Sequence, residues 1–408
     1  MIYIHRSLER KFMKMCDAFK VIMVTGARQV GKTTMLRHLA EDTGRTFVTM
    51  DDADIRELAA RDPKLFFQMY RPPILIDEAQ KAPQLFEQIK IICDQSDERG
   101  RFWLTGSQSR KLMKQAGDSL AGRIGILKMY SLSDKEIAGK ADDIDYDWSF
   151  GSLMQRSLDY PENNILDVYT RIWEGGMPDT LSMDAELRRE YWNSYIDTYL
   201  MRDAVDDNGI QDTEGFRRFL RACAAFAGNL INYNDLGNAA GVSGMTAKEW
   251  TKVLQSMGVI YLLEPFHANE LKRMIKTPKL YFCDTGLCAF LSSWTSRDTL
   301  MNGAASGHYL ENYVVTEMLR NGAYGIKDVN INFYRDTNQK EIDLIIESEG
   351  KLHPFEIKRS ASPDIRSIRS FSALVKSGRI MGNGGIICMA EKPLPIDNMN
   401  SLVPVNLI

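Results

Sequence analysis

The chain has 408 residues, of which 44% are hydrophobic and 26% charged, and its formal net charge is −3. That length exceeds one ordinary core and calls for roughly two to four domains, while the near-balanced charge excludes a globally basic nucleic-acid binder and leaves only local basic patches. No stretch approaches the roughly 18 consecutive apolar residues of a membrane span, and Met1-Ile2-Tyr3-Ile4-His5-Arg6 lacks the shape of a signal peptide, so a cytoplasmic protein without a membrane partner is expected. Six cysteines and five histidines are scattered without ligand spacing, which supports neither a zinc site nor a disulfide framework. Cys283 and Cys288 read as core fillers.

In chain order, Leu8, Phe12, Met15 and Phe19 recur at helical spacing and predict an amphipathic helix within residues 1–20. The apolar run Val21-Ile22-Met23-Val24 then reads as a buried strand. It leads into Gly26-Ala27-Arg28-Gln29-Val30-Gly31-Lys32-Thr33-Thr34, a glycine-rich turn that opens a helix. Such a turn aims several backbone N–H groups inward, and the positive end of the following helix adds to their pull on an anion. A triphosphate fits that cradle, with Lys32 as a point charge at the outer phosphates and Thr33 as a ligand of the accompanying magnesium ion. ATP and Mg2+ are therefore the expected cofactors.

Arg45–Met50 reads as a second strand, and the alternation of strands and helices implies a parallel sheet. Pro73-Ile74-Leu75-Ile76-Asp77-Glu78 is a further buried strand ending in two carboxylates. A magnesium-nucleotide site needs such a pair, Asp77 to hold the metal through its water shell and Glu78 to orient or deprotonate the attacking water; capping of the next helix is the competing role. The strand in Arg101–Ser109 ends in small polar residues at the same sheet edge, where Ser107 or Gln108 would reach the terminal phosphate or act only as a loop cap. Arg123, just before the strand Ile124–Leu127, has two readings: a helix-end arginine satisfying carbonyls, or an arginine finger completing a neighbouring subunit's site in a homo-oligomer.

The segments GARQVGKTT, ILIDEAQ, FWLTGSQS and SLAGRI, in this order and spacing, resemble the AAA-type ATPase domain of a large prokaryotic family, in which the ATPase is fused to a C-terminal domain of unknown function (DUF4143 type) with a restriction-endonuclease-like fold. The resemblance implies nucleotide binding by Gly31, Lys32 and Thr33 and hydrolysis dependent on Asp77 and Glu78. It also puts Arg123 where AAA-type proteins place the finger. No second sensor arginine is evident downstream.

Asp134–Asp147 is acidic and weakly apolar and is expected to be a solvated linker, which ends the first domain near residue 150. Trp173–Pro178 is a turn, and Leu187, Tyr191, Tyr195, Ile196 and Tyr199 form a helical stripe across Ala185–Asp203 that reads as core. Asp235 as one cap, Gly241 as a helix end and Ser243 as the next cap predict a helix-turn-helix. The strands Gly258–Leu263 and Lys279–Phe282 would make it winged. Lys272, Arg273, Lys276 and Lys279 are assigned to the wing loop, where four cations suit phosphate contacts. The second helix offers only Lys248 and Lys252 against Glu249, which is thin for sequence reading, and winged helices also dock proteins.

From Ser306 the elements run helix 308–320, strands near 331–335, 341–346 and 352–359, helix 363–376 and the strand Gly385–Met389, an order that resembles the restriction-endonuclease-like core. Period-two alternation puts Glu341 with Asp343 on one strand face and Glu356 with Lys358 on the next. Pairing those strands would converge Asp343, Glu356 and Lys358, two metal-binding carboxylates and a charge-steadying lysine, with Glu311 as an added ligand. An ordinary surface ion cluster is the alternative. The expected fold is multidomain α/β: an AAA-type parallel sheet (1–150), a helical linker (151–225), a winged helix (226–285) and a restriction-endonuclease-like domain (286–408). The expected function is ATP hydrolysis coupled to DNA binding and magnesium-dependent nuclease chemistry; the alternative is an ATP-driven switch recruiting DNA or a protein partner through a catalytically inactive nuclease fold.

Overall fold

Every residue of β1 (Val21–Gly26) is buried, the condition of a central strand covered on both faces. The computed structural model describes residues 3–107, 116–117, 119–144, 147–162, 164–206, 208–267 and 276–408. In it β1 joins β2 (Thr46–Thr49), β3 (Ile74–Asp77), β4 (Phe102–Ser107) and β5 (Ile124–Lys128) in a five-stranded sheet of order β2-β3-β4-β1-β5, with all neighbours parallel. Because β4 lies between β1 and β3, the carboxyl ends of three strands meet at one edge. The opening helix α1 (Leu8–Cys16) is shorter than the predicted segment and buries Leu8 and Phe12. The turn after β1 feeds α2 (Lys32–Ala40).

The chain forms two compact units, Met1–Asp142 with Ser256–Val259, and Asp143–Gln255 with Ile260–Ile408. Part of the expected acidic linker is core. Ser133 and Glu136 form a reciprocal capping box on the helical turn Asp134–Ile137, and Lys135, Glu136, Ala141 and Ile144 are buried. Charge alone pointed to solvent, but the Glu136 carboxylate accepts from Ser7 N at 2.8 Å and Ser133 N at 2.9 Å and pairs with Arg6 Nε at 3.1 Å. Charge-assisted bonds of that number offset its burial.

In the second unit the stripe-bearing segment is interrupted: the helix Ala185–Tyr195 passes through a π-helical turn, Ile196–Leu200, before Met201–Asp206. Trp192, Tyr195 and Ile196 are buried there, whereas Leu187 is exposed. The helices Tyr233–Ala240 and Gly244–Ser256 are followed by an antiparallel pair, β6 (Ile260–Leu263) and β7 (Lys279–Phe282). Asn232, not Asp235, caps the first of these helices; Asp235 sits in its first turn and accepts from Asn232 Nδ2 at 2.7 Å. Lys272 and Arg273 lie outside the described residues.

The C-terminal region places the helix Ser306–Tyr324 beside a seven-stranded sheet of order β13-β14-β12-β10-β9-β8, with β11 on β10. Its strands are β8 (Val329–Arg335), β9 (Glu341–Ser348), β10 (Lys351–Lys358), β11 (Ile380–Met381), β12 (Gly384–Cys388), β13 (Leu394–Pro395) and β14 (Asn400–Pro404). The helix expected at 363–376 is a 3-10 segment, Ile365–Phe371, and one short turn, Ser372–Val375. Its serines explain the difference: Ser370 Oγ donates to Ser367 O and Ser372 Oγ to Arg369 O, bonds that compete with the α-helical ladder and tighten the coil. Among the described residues no helix is long and apolar enough to cross a membrane.

Candidate functional site

At the carboxyl end of β1 the chain turns through Ala27, Arg28, Gln29 and Val30 into α2. Gly26 is required by a close approach, since a Cβ there would lie 2.1 Å from Met129 O. Gly31 sits at φ +95° directly before α2, a conformation that favours glycine, and no side chain caps the helix. The Lys32 ammonium donates back to Gly26 O at 3.2 Å and Ala27 O at 2.7 Å, which fixes it across the turn. Thr34 faces solvent.

Behind the turn lies a hydroxyl–carboxylate network centred on Asp77, at the end of β3. Its Oδ1 accepts from Thr33 Oγ1 at 2.5 Å and from Thr105 Oγ1 at 2.6 Å, and its Oδ2 from Thr49 Oγ1 at 3.3 Å. Thr105 also accepts from Glu78 N at 3.0 Å, so one β4 side chain sets both acidic residues. Glu78 has φ +55°, an uncommon setting for a non-glycine residue; its carboxylate accepts from Gln80 Nε2 and makes no capping bond to the turn that follows. The capping role therefore does not account for Glu78. Ser107 pairs in register with Gly26 at the same edge, and Gln108 lies outside the described residues.

Two supports of this site were not singled out in the sequence. Thr105 is one. The other is Arg6, 3% exposed, whose Nη1 donates to Val30 O at 2.7 Å and Nη2 to Tyr130 O at 2.8 Å, so it holds the turn from behind. The Ser133-x-x-Glu136 capping signature was a legible hint of its partner.

Arg123 lies at the other edge of the sheet. Its carbonyl accepts from Val21 N at the start of β1, and its side chain donates to Asp94 Oδ1 at 2.6 Å and Ala121 O at 3.0 Å. The length of β1 separates it from the turn, about 17 Å at roughly 3.3 Å per residue.

A second cluster stands on the C-terminal sheet. The antiparallel register Phe355↔Leu344 brings Glu356 opposite Asp343, so their side chains share a face. Asp343 Oδ2 accepts from Ile357 N at 2.8 Å and Lys358 Nζ at 3.1 Å, while Glu356 accepts from Lys358 Nζ at 2.8 Å and Ser370 Oγ at 3.0 Å. Burial first, and the Asp343 charge second, push the Glu356 carboxyl up to about 7. Burial works against the Lys358 ammonium, but Asp343 and Glu356 outweigh it and hold its pKa above the usual lysine range.

Next to this cluster is a corrected assignment. Lys279, expected on the wing loop, is the first residue of β7 and 3% exposed. Its ammonium pairs with Glu311 at 2.7 Å and Glu341 at 2.5 Å, and Tyr281 Oη also donates to Glu311 at 2.6 Å. A lysine so enclosed is removed from phosphate contact, and Glu311 is engaged by Lys279 and Tyr281. Burial raises the Glu311 pKa against the pull of Lys279. Among the described residues no group of three or more His, Cys, Asp or Glu is arranged to hold a metal ion.

The sheet, the turn and the acidic strand end define a P-loop ATPase domain. Residues 18–138 match the AAA domain family (AAA_14), and residues 306–408 match a domain of unknown function (DUF4143); the chain is an AAA domain joined to that C-terminal domain. Between them residues 165–298 match a further domain of unknown function (DUF8612). The chain is similar to an uncharacterized protein of Mycobacterium tuberculosis, 28% identical over 95% of this chain and 80% of the relative. An uncharacterized protein of Methanocaldococcus jannaschii is 22% identical over 81% of this chain and 73% of the relative. The solved Walker-type ATPase of Pyrococcus abyssi superposes with a TM-score of 0.44 at 13% identity, covering 71% of this chain and 96% of its own.

Proposed function

We propose that this chain binds and hydrolyses ATP with Mg2+ at the turn 26–34. The observation that carries this reading is the contact of Thr33 with Asp77 across the sheet edge. It presents a hydroxyl and a carboxylate oxygen together at the start of the helix that carries Lys32, the hard-oxygen donor set that suits magnesium. When bound, the ion supplies charge neutralisation on the phosphates. The backbone N–H groups of the turn and the start of α2 bind the phosphates, Lys32 orients the outer ones, and Glu78, aimed by Thr105, takes the proton of the attacking water. ATP hydrolysis by the parent chain, set against Lys32→Ala and Glu78→Gln, is the test. Equal rates in all three would end the proposal.

For the C-terminal domain, the convergence of Asp343, Glu356 and Lys358 supports a magnesium-dependent nuclease acting on DNA, with the carboxylates as ion ligands and the lysine steadying developing charge. The test is DNA cleavage with magnesium by the parent, Asp343→Ala and Lys358→Ala; no cleavage by the parent, or equal cleavage in all three, removes it. One observation favours the second reading, an ATP-driven switch that recruits a partner through an inactive nuclease fold: Lys279 is locked between Glu311 and Glu341, and Arg335 pairs with Glu341 at 3.0 Å, so these two carboxylates meet two protein cations. Nucleotide-dependent retention of DNA without cutting would favour that reading.

A further inference from the structure

The middle region holds a cavity of about 590 Å3, the size of a small-molecule site, which belongs to neither cluster described above. Its walls are of two kinds. Trp173, Trp192, Phe290 and Trp294 supply aromatic surface, and four arginines face a lone glutamate, Glu186, among the lining residues.

One half of the cavity is prebuilt. Arg188, 5% exposed, donates through Nη2 to Glu174 at 3.0 Å and to Met183 O at 2.8 Å, with its guanidinium 5.0 Å over the Trp173 ring. Trp173 in turn donates its indole N–H to Trp294 O at 2.9 Å. This stack is fixed without a ligand. Trp192 differs: it is 2% exposed and its indole nitrogen has no hydrogen-bond partner. A buried donor left so is costly, and a small shift of the Trp192 ring toward the cavity it lines would let an acceptor on the edge of a bound ring satisfy it.

The other half is cationic. On the helix Thr213–Ala225, Arg217 pairs with Asp197 at 2.6 Å, whereas Arg221, one turn on, is exposed and makes no hydrogen bond or ion pair among the described residues. Asp197 and the lining residue Ile196 lie in the π-helical turn, a local irregularity that concentrates at functional sites. An aromatic wall with an orphan donor, and a guanidinium in the same lining that can grip an anion, suit a ligand that joins a planar, acceptor-edged ring to a phosphate.

We propose that this cavity is a second nucleotide site, separate from the turn 26–34. The base stacks on the indole wall and accepts from Trp192 Nε1, while the phosphate is held by Arg221, with Arg217 and Arg189, which already pair with Asp197 and Glu190, in the same lining. A free mononucleotide and one nucleotide of a single strand offer the same chemistry.

The test uses the full chain carrying Lys32→Ala, so that the phosphate loop contributes little, with tryptophan fluorescence and calorimetry read against AMP, a short 5′-phosphorylated oligothymidylate and inorganic phosphate. Saturable binding of AMP identifies the free nucleotide, and saturable binding of the oligothymidylate alone identifies a strand. In either case Arg221→Glu weakens binding at least about tenfold, the scale of a lost charge-assisted bond, and Arg221→Lys weakens it less. The proposal is overturned if neither ligand saturates, if Arg221→Glu titrates like its parent, or if inorganic phosphate binds as tightly as AMP. Failure of the ATPase reading registers separately, as absent ATP hydrolysis by the unmodified chain.

Discussion

The two carboxylate centres are compensated in opposite ways. Asp77 is surrounded by the hydroxyls of Thr33, Thr49 and Thr105, neutral donors that stabilise its charge without cancelling it. Asp343, Glu356, Glu311 and Glu341 are each paired with a lysine. The first centre retains negative charge that a cation would neutralise, whereas the second sets Lys279, Lys358 and Arg335 against its four carboxylates, of which Glu356 is pushed toward its neutral form. Similar acidic residues at strand positions therefore do not imply similar readiness for a metal. Which donors surround them decides it.

The sharpest way to break this contrast is to remove the internal cation of the second centre. Lys279→Ala leaves Glu311 without its cation and Glu341 with Arg335 alone, and breaking a buried pair costs about 3–5 kcal/mol. Unfolding midpoints of the full chain in urea should fall accordingly, and a loss below about 1 kcal/mol would show that the pair behaves as a surface one. At the first centre the corresponding loss is kinetic. Glu78→Gln should lower ATP turnover by about 100- to 1,000-fold, the scale on which positioned catalytic groups act, with nucleotide binding retained.

Thr105→Val tests whether the hydroxyls organise that centre. It removes one donor from Asp77 and the acceptor of Glu78 N, a change of about 1–3 kcal/mol. Because the turn 26–34 is untouched, kcat should drop about tenfold or more while KM for ATP changes little. A rise in KM alone would assign Thr105 to binding instead.

What could be read from the chain followed contiguity. Gly26 to Thr34 is one uninterrupted segment, and Asp77-Glu78 ends an unmistakable apolar strand, so the turn and the acids were legible. Thr105 was not, because its role depends on β4 inserting between β1 and β3, and strand order is not a local property. Arg6 and Glu136 are joined across the first unit in the same way, and acidic composition around Glu136 pointed to solvent. Lys279 was misplaced for a related reason: it follows a basic run in sequence, but it begins β7, where one strand position separates a loop cation from a buried one. The pairing of Asp343 with Glu356 was legible because period-two alternation and one hairpin suffice to define it.

The smallest expected effect concerns the proton on Glu356. Its carboxyl is pushed from 4.5 up to about 7 by burial and by Asp343, so between those values the folded chain binds a proton that the unfolded chain has released. The sign follows from linkage: stability from this group is fully present below the unfolded value and is lost as pH rises through the folded one. With EDTA present, the urea midpoint of the parent should fall more between about pH 5 and about pH 8 than that of Glu356→Gln, whose amide cannot ionise. Other groups titrate in both proteins and cancel in the comparison, so the difference between the two slopes isolates this carboxyl. Parallel slopes would mean that Lys358 and Ser370 hold Glu356 ionised throughout, and that the second centre carries more negative charge than its lysines balance.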